Sequence, residues 1–194
     1  TELIQTFTLI KDDVSVRAVV LRGAGGHFCA GGDIKDMAGL RLKASQAASQ
    51  QPYIEFNRLF GTLIETVKHA PQVVIAVLEG AVLGGGFGLA CVSDLAISFE
   101  DAQFGLPETG LGIIPAQIAP FVVQRIGITQ ARRVALLGLR FNGVEAQHLG
   151  IAHQLVSDEQ QLQAELSRSF KQAERTETSA NRVNEALLHL VGEG

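Results

Sequence analysis

VVIAVLEGAVLGGGFGLACVSDL, Val73–Leu95, is the stretch whose reading decides the fold. Val73, Val74, Ile75 and Val77 are β-branched and apolar, the composition of a buried strand. Gly84, Gly85 and Gly86 follow in a row, with Gly88 after one further residue, and Leu89, Ala90 and Cys91 read as the start of a buried helix. Strand, glycine turn and helix in that order leave unpaired N–H groups at a helix N-terminus, where partial positive charge gathers. Lacking Cβ atoms, the glycines let another group come close to that backbone. The stretch is suited to hold a negative charge.

Around it lie 194 residues, enough for one compact domain with a sizeable core. The chain is 46% hydrophobic with a mean hydropathy of +0.21, which excludes a disordered class. Twenty acidic residues against sixteen basic ones, a net charge of −4, argue against a nucleic-acid surface. Cys29 and Cys91 lack CxxC spacing and read as reduced thiols, which points to a cytoplasmic protein with no disulfide framework or zinc site. No signal peptide is visible, and Glu79, the glycines and Asp94 interrupt the longest apolar run, so no membrane span is expected. The chain opens at Thr1 without a methionine, and we expect residues to precede it.

In chain order, Leu3, Ile4, Phe7 and Ile10 predict a helix over Thr1–Ile10, closed by Asp12 and Asp13. Val16–Leu21 reads as a buried strand. RGAGGHFCAGGDIKDM (Arg22–Met37) is a second glycine turn leading to a helix at Asp33–Met37, with Asp33 placed to cap it. Ala38–Pro52 is polar and weakly patterned, a loop or frayed helix. Ile54, Phe56, Leu59, Phe60, Leu63, Ile64 and Val67 predict an amphipathic helix over Tyr53–His69, with Pro71 at its exit. Leu95–Phe99 is a further strand. Ala102–Gln124 contains three prolines and three glycines in its first part, so Gly105–Pro120 reads as loop, and such loops often carry function. Helices are expected at Thr129–Leu137, Val144–Leu149, Asp158–Arg175 and Ala180–Val191, and a strand at Ala152–Val156. Strand, glycine turn and helix thus occur twice, at Val16–Met37 and Val73–Leu95, and two such turns could face one ligand atom.

Several chemistries are absent from the sequence. It contains no GxxxxGK[ST], no full GxGxxG and no GxSxG. His27, His69, His148, His153 and His189 are scattered without metal-ligand spacing, so no metal site is expected. An oxyanion hole remains: two converging N–H groups that stabilise an enolate or tetrahedral oxyanion, with Gly32 and Gly85 as the donors. On pattern alone both clusters read equally well as tight turns of a compact fold. Glu108, in FGLPETGLGIIP, sits in a glycine- and proline-rich loop among apolar residues. Burial there would raise its pKa towards the range useful for proton transfer, whereas an exposed Glu108 would be a solvated loop or helix-cap residue.

Three motifs together resemble the enoyl-CoA hydratase/isomerase (crotonase) superfamily: FCAGGDIKDM (Phe28–Met37), AVLGGGFGLACVSDLAI (Ala81–Ile97) and AQFGLPETGLGIIP (Ala102–Pro115). They stand in the family's order and spacing, followed by Arg133–Gly138 and Ala146–Val156. The resemblance implies an α/β fold, a spiral of repeated ββα units over residues 1–156, and a C-terminal helical region over 157–194 that mediates trimer assembly, often as hexamers. The family's N-terminal strand hairpin has no counterpart here. It also implies an acyl-CoA substrate, with coenzyme A as part of the substrate and no separate cofactor. The thioester oxygen would lie between the N–H groups of Gly32 and Gly85, with Glu108 as the catalytic carboxylate. Ala30, Gly31, Asp33, Ile34, Leu83, Gly84 and Pro107 would border the substrate and its coenzyme A.

Two departures stand out. Family hydratases carry a first glutamate in GGGxE, and the corresponding residue here is Gly88. After Pro115, Ala116-Gln117-Ile118 replaces a glycine run; Gln117 could orient a water, though a helix-surface amide is the commoner role. FGLPETGLGIIPAQIAPFVVQRIG looks like the isohexenylglutaconyl-CoA hydratases of acyclic terpene breakdown, which favours hydration of a branched or long enoyl-CoA. Isomerases of the family typically keep the second glutamate and lose the first, so Gly88 favours a double-bond isomerase, with Glu108 shuttling a proton between carbons. A non-catalytic assembly protein is the reading from another class, and a carboxylate retained in that loop argues against it.

Overall fold

The computed structural model describes residues 2–32, 39, 42–46, 48–111 and 114–176, with backbone alone at 109 and 111. The expected helices at Asp33–Met37 and Ala180–Val191 lie outside the described residues, as do Asp33 and Ile34 themselves.

The chain begins with helix α1 (Glu2–Ile10), which buries Phe7. Strand β1 (Ala18–Arg22) follows, and after the first glycine turn comes helix α2 (Gln51–Lys68). Pro52 stands in the first turn of α2, where its missing N–H costs nothing. Residues 42–46, within the polar stretch ahead of it, are also helical. Then come β2 (Val73–Leu78), β3 (Ala81–Leu83) and α3 (Gly85–Val92). Next are β4 (Leu95–Phe99), β5 (Gln103–Gly105), a 3-10 helix (Pro107–Leu111) and α4 (Ala119–Leu136). The described chain closes with β6 (Arg140–Asn142), α5 (Gly143–His148), β7 (Gln154–Val156) and α6 (Glu159–Ala173).

The strands form two sheets, β1-β2-β4-β7 and β3-β5-β6. The first is parallel throughout, and β3 pairs parallel with β5. Cys29 makes a parallel bridge to Val82, so the first glycine turn adds its own short edge to the second sheet. Three successive turns are thus equivalent: β1, Cys29 and α2; β2, β3 and α3; β4, β5 and α4. Each places one strand in each sheet before its helix, and this is the ββα spiral. Apolar residues on both faces of β2 and β4 explain why the strands read as runs rather than alternations. Between the layers Phe87, Phe104 and Phe141 meet, with Phe104 and Phe141 stacked at 5.7 Å and Phe87 edge-on to both.

Three differences from the sequence expectations concern the centre of the molecule. Helix α3 starts at Gly85, not Leu89, with Gly84 at φ 52° as its N-cap. The glycines therefore form its first turn, because the helix is pressed against its neighbours. A Cβ on Gly86 would stand 2.6 Å from Cys29 Cβ, and one on Gly88 would run into Ile118, 2.9 Å from its Cβ. Helix α4 starts ten residues ahead of Thr129 and bends at Gly127 (φ 72°, ψ 158°), so its first half hides among the prolines. The three-residue strands β3, β5 and β6 are too short to show a period.

Candidate active site

The bridge between Cys29 and Val82 brings the two glycine turns side by side. Cys29 N–H donates to Ala81 O at 2.9 Å and Leu83 N–H to Cys29 O at 2.9 Å, a short parallel ladder. On the other side of β3, Gly84 N–H donates to Gly105 O at 3.1 Å, and the chain from β5 runs on into Pro107 and Glu108. Three neighbouring strands therefore end together, and a cleft of about 410 Å³ opens at their carboxyl ends. Crevices at such ends are where parallel sheets bind ligands.

Ala30, Gly31, Gly32, Gly84, Gly85, Pro107 and Glu108 all border this cleft. Leu83 does not: it stays in β3, its N–H committed to Cys29. Gly85 is the first residue of α3, so its N–H has no acceptor within the helix and belongs to the positive end of its dipole. The opposite end of α3 is neutralised by Arg125, which donates to Ala90 O at 3.0 Å and Ser93 O at 2.7 Å. The dipole is thus satisfied by protein at its C-terminus and left open to the cleft at its N-terminus.

Glu108 is the one acidic side chain that lines this cleft among the described residues. Its Oε1 stands 2.7 Å from where a Cβ on Gly84 would be, so the absence of that atom lets the carboxyl lie against the N-cap of α3. Oε2 is buried and has no hydrogen-bond partner among the described residues. Burial pushes the carboxyl above the ordinary carboxylate value, against a smaller pull from its own backbone N–H. A partly desolvated carboxyl with one oxygen unpartnered, beside the N-terminus of a helix, can take a proton from one atom and return it to another.

The rest of the wall comes from residues whose site role the sequence leaves unmarked. Phe56, Asn57 and Phe60 of α2, and Ile114 and Ile118, line it. A Cβ on Gly85 would meet Phe60 Cζ at 2.7 Å, so this ring packs directly on the donor. Phe56 and Phe60 belong to the apolar pattern of α2, which reads as core, yet Phe56 is 37% exposed. Their i, i+4 spacing was legible; the cleft beside it was not.

The described histidines serve structure instead. His27 Nδ1 accepts from Ala81 N–H at 3.0 Å, His153 Nδ1 from Ala96 N–H at 2.9 Å, and His69 pairs with Glu65 at 3.0 Å. His148 lies 4.0 Å from Glu145, and His189 is outside the described residues. No metal-binding cluster occurs among the described residues, and none of their helices is long and apolar enough to cross a membrane.

Known proteins resemble this chain in sequence and in fold. The family model described as enoyl-CoA hydratase/isomerase matches residues 1–192. An enoyl-CoA hydratase of Alternaria alternata is 31% identical over 164 residues, 84% of this chain and 50% of that protein. A probable enoyl-CoA hydratase of Bacillus subtilis is 32% identical over 81% of this chain and 59% of its own length. The chain thus spans about half the length of curated relatives it matches. Among solved structures, AtuE from Pseudomonas aeruginosa superposes with a TM-score of 0.93 at 57% identity, over 100% of this chain and 72% of that one. An enoyl-CoA hydratase/isomerase from Marinobacter aquaeolei gives 0.92 at 54% identity, over 100% and 73%.

Proposed function

The chain belongs to the enoyl-CoA hydratase/isomerase family, and from that premise we propose that it hydrates an α,β-unsaturated acyl-CoA. One observation carries the reading: the half-buried carboxyl of Glu108, with Oε2 lacking a hydrogen-bond partner among the described residues, shares a cleft with Gly32 and with the open N-terminus of α3 at Gly85. The thioester oxygen would sit between the N–H groups of Gly32 and Gly85. Glu108, as carboxylate, accepts a proton from water while the water oxygen bonds to Cβ. The π electrons move onto the thioester oxygen, and the resulting enolate is held by the two N–H groups. The Glu108 acid then gives its proton to Cα, so one water is added and the carboxylate is regenerated.

The proposed acyl group is branched or long, of the isohexenylglutaconyl type, in keeping with the sequence from Phe104 to Gly127 and the aromatic wall of Phe56 and Phe60. Assembly as a homotrimer or a dimer of trimers through the C-terminal region, and a place in the cytoplasm, complete the proposal. Two free thiols fit a reducing compartment.

A double-bond isomerase is the second reading, favoured by Gly88, which offers no side chain and whose space is closed by Ile118 and Ile64. Turnover in H₂¹⁸O separates the two: a hydratase places ¹⁸O in the product, whereas an isomerase takes up only solvent deuterium from D₂O. Product free of ¹⁸O would refute the hydratase.

A further inference from the structure

Glu108 alone cannot hold a water, because a bound water needs two to four polar partners. Among the described residues lining the cleft, only Cys29, Asn57, Glu108 and Gln117 carry polar side-chain atoms. Asn57 is an exposed residue of α2 at the cleft wall, and the Cys29 thiol lies against Gly31 O, with Sγ at 4.0 Å. Gln117 is different. Its backbone is clamped in the turn before α4, where Ile118 N–H and Ala119 N–H both donate to Pro115 O, at 3.2 and 2.9 Å. Its side chain reaches across to α2 and seats its carboxamide in a notch at Gly61: a Cβ there would run into Oε1 and stand 3.0 Å from Cδ. A glycine in a helix interior costs about 1 kcal/mol relative to alanine. Here that glycine makes room for one amide in the cleft wall.

We propose that Gln117, seated in the Gly61 notch, holds the water that Glu108 activates. This rests on the hydratase reading and says how it works with one carboxylate. The amide supplies the second polar partner, while Glu108 accepts the proton as the C–O bond forms. No proton passes to or from Gln117, so the balance of the hydration is unchanged. Ile118, next in sequence, closes the space beside Gly88 with hydrocarbon, which leaves the amide as the polar side chain contributed by this turn.

The test compares two reactions of the same cleft. Hydration of 3-methylcrotonyl-CoA needs the water; exchange of the α-hydrogen of isovaleryl-CoA with D₂O needs only Glu108 and the N–H donors. Gln117→Ala should lower kcat for hydration by about 10²-fold, with KM within about threefold and exchange unchanged, the lower end of the range for a positioned catalytic group. Gly61→Ala should do the same, because the new methyl group expels the amide without touching Glu108. Equal loss of hydration and exchange in both variants would show a merely structural role, and a raised KM with kcat retained would make Gln117 an acyl contact; either overturns the assignment. Unaltered hydration in both variants overturns it as well, with the hydratase intact. Exchange without hydration in the unaltered protein overturns the hydratase reading and the water site together.

Discussion

Cys29 and Val82 face each other in a parallel bridge, and Gly32 and Gly85 each lie three positions beyond it. Neighbouring strands run about 4.8 Å apart. That is also roughly the span of two N–H groups that meet one oxygen at about 2.9 Å each. In the proposed oxyanion hole a single bridge would therefore set the two donors level with each other, and its register would matter more than either turn alone.

Glu108→Gln should lower kcat by about 10²–10⁴-fold while the circular dichroism stays native. In the unaltered protein the acid limb of kcat/KM should lie above the ordinary carboxylate value of 4.5, because burial disfavours the charged form. Stability follows with a defined sign. The folded carboxyl holds its proton more tightly than the unfolded one, so stability is lost as pH rises from 4.5 through the raised folded value. Thermal midpoints measured across that window should move in favour of the Gln variant, and a constant difference between the two proteins would contradict the buried carboxyl.

Removing the Gly85 donor needs a second change. Gly85→Pro deletes the N–H at a helix position that accepts proline, but its ring would press on Phe60, which already stands 2.7 Å from a notional Cβ. In a Phe60→Leu background the substitution should cost about 10²–10³-fold in kcat, and Phe60→Leu alone should change chiefly KM. Steady-state kinetics of the pair against the Leu single variant isolates the donor.

Gly88→Ala sets two effects against each other. Helix propensity gains about 1 kcal/mol, but the methyl group runs into Ile118, and overpacking of this kind costs about 1–3 kcal/mol. The variant should be destabilised by denaturant titration, and Ile118→Ala should recover part of the loss in the double variant. Additive effects would show that the two residues do not compete for the same space.

Cys91 is buried and its thiol is pushed up to about 12, so it should resist iodoacetamide at pH 8. Cys29 lines the cleft and should be the residue that labels. Peptide mapping checks the order, and a bound acyl-CoA should slow labelling at Cys29.

Much of the framework was legible because it depends on local chemistry. The run Val73–Leu78 is apolar on both faces and reads as a buried strand, and α6 shows its period, with Asp158 capping it through Gln161 N–H at 2.8 Å. What failed did so for tertiary reasons. The glycines of Val73–Leu95 read as a turn, but Cys29 and Ile118 crowd them into helix α3. The first half of α4 reads as loop, since its proline is tolerated in a first turn that only the packed helix reveals.

By itself the sequence determined the two glycine corners, the carboxylate at Glu108 and the absence of a side chain at Gly88, because residue identity alone sets where N–H groups lie bare and where an acid is available. The tertiary structure decided that Cys29 pairs with Val82, that Leu83 is held in β3, and that Phe56, Phe60 and Gln117 line the same cleft. Those are contacts between residues far apart in the chain, governed by strand register and by the space a missing Cβ leaves open, and neither is written in any local stretch.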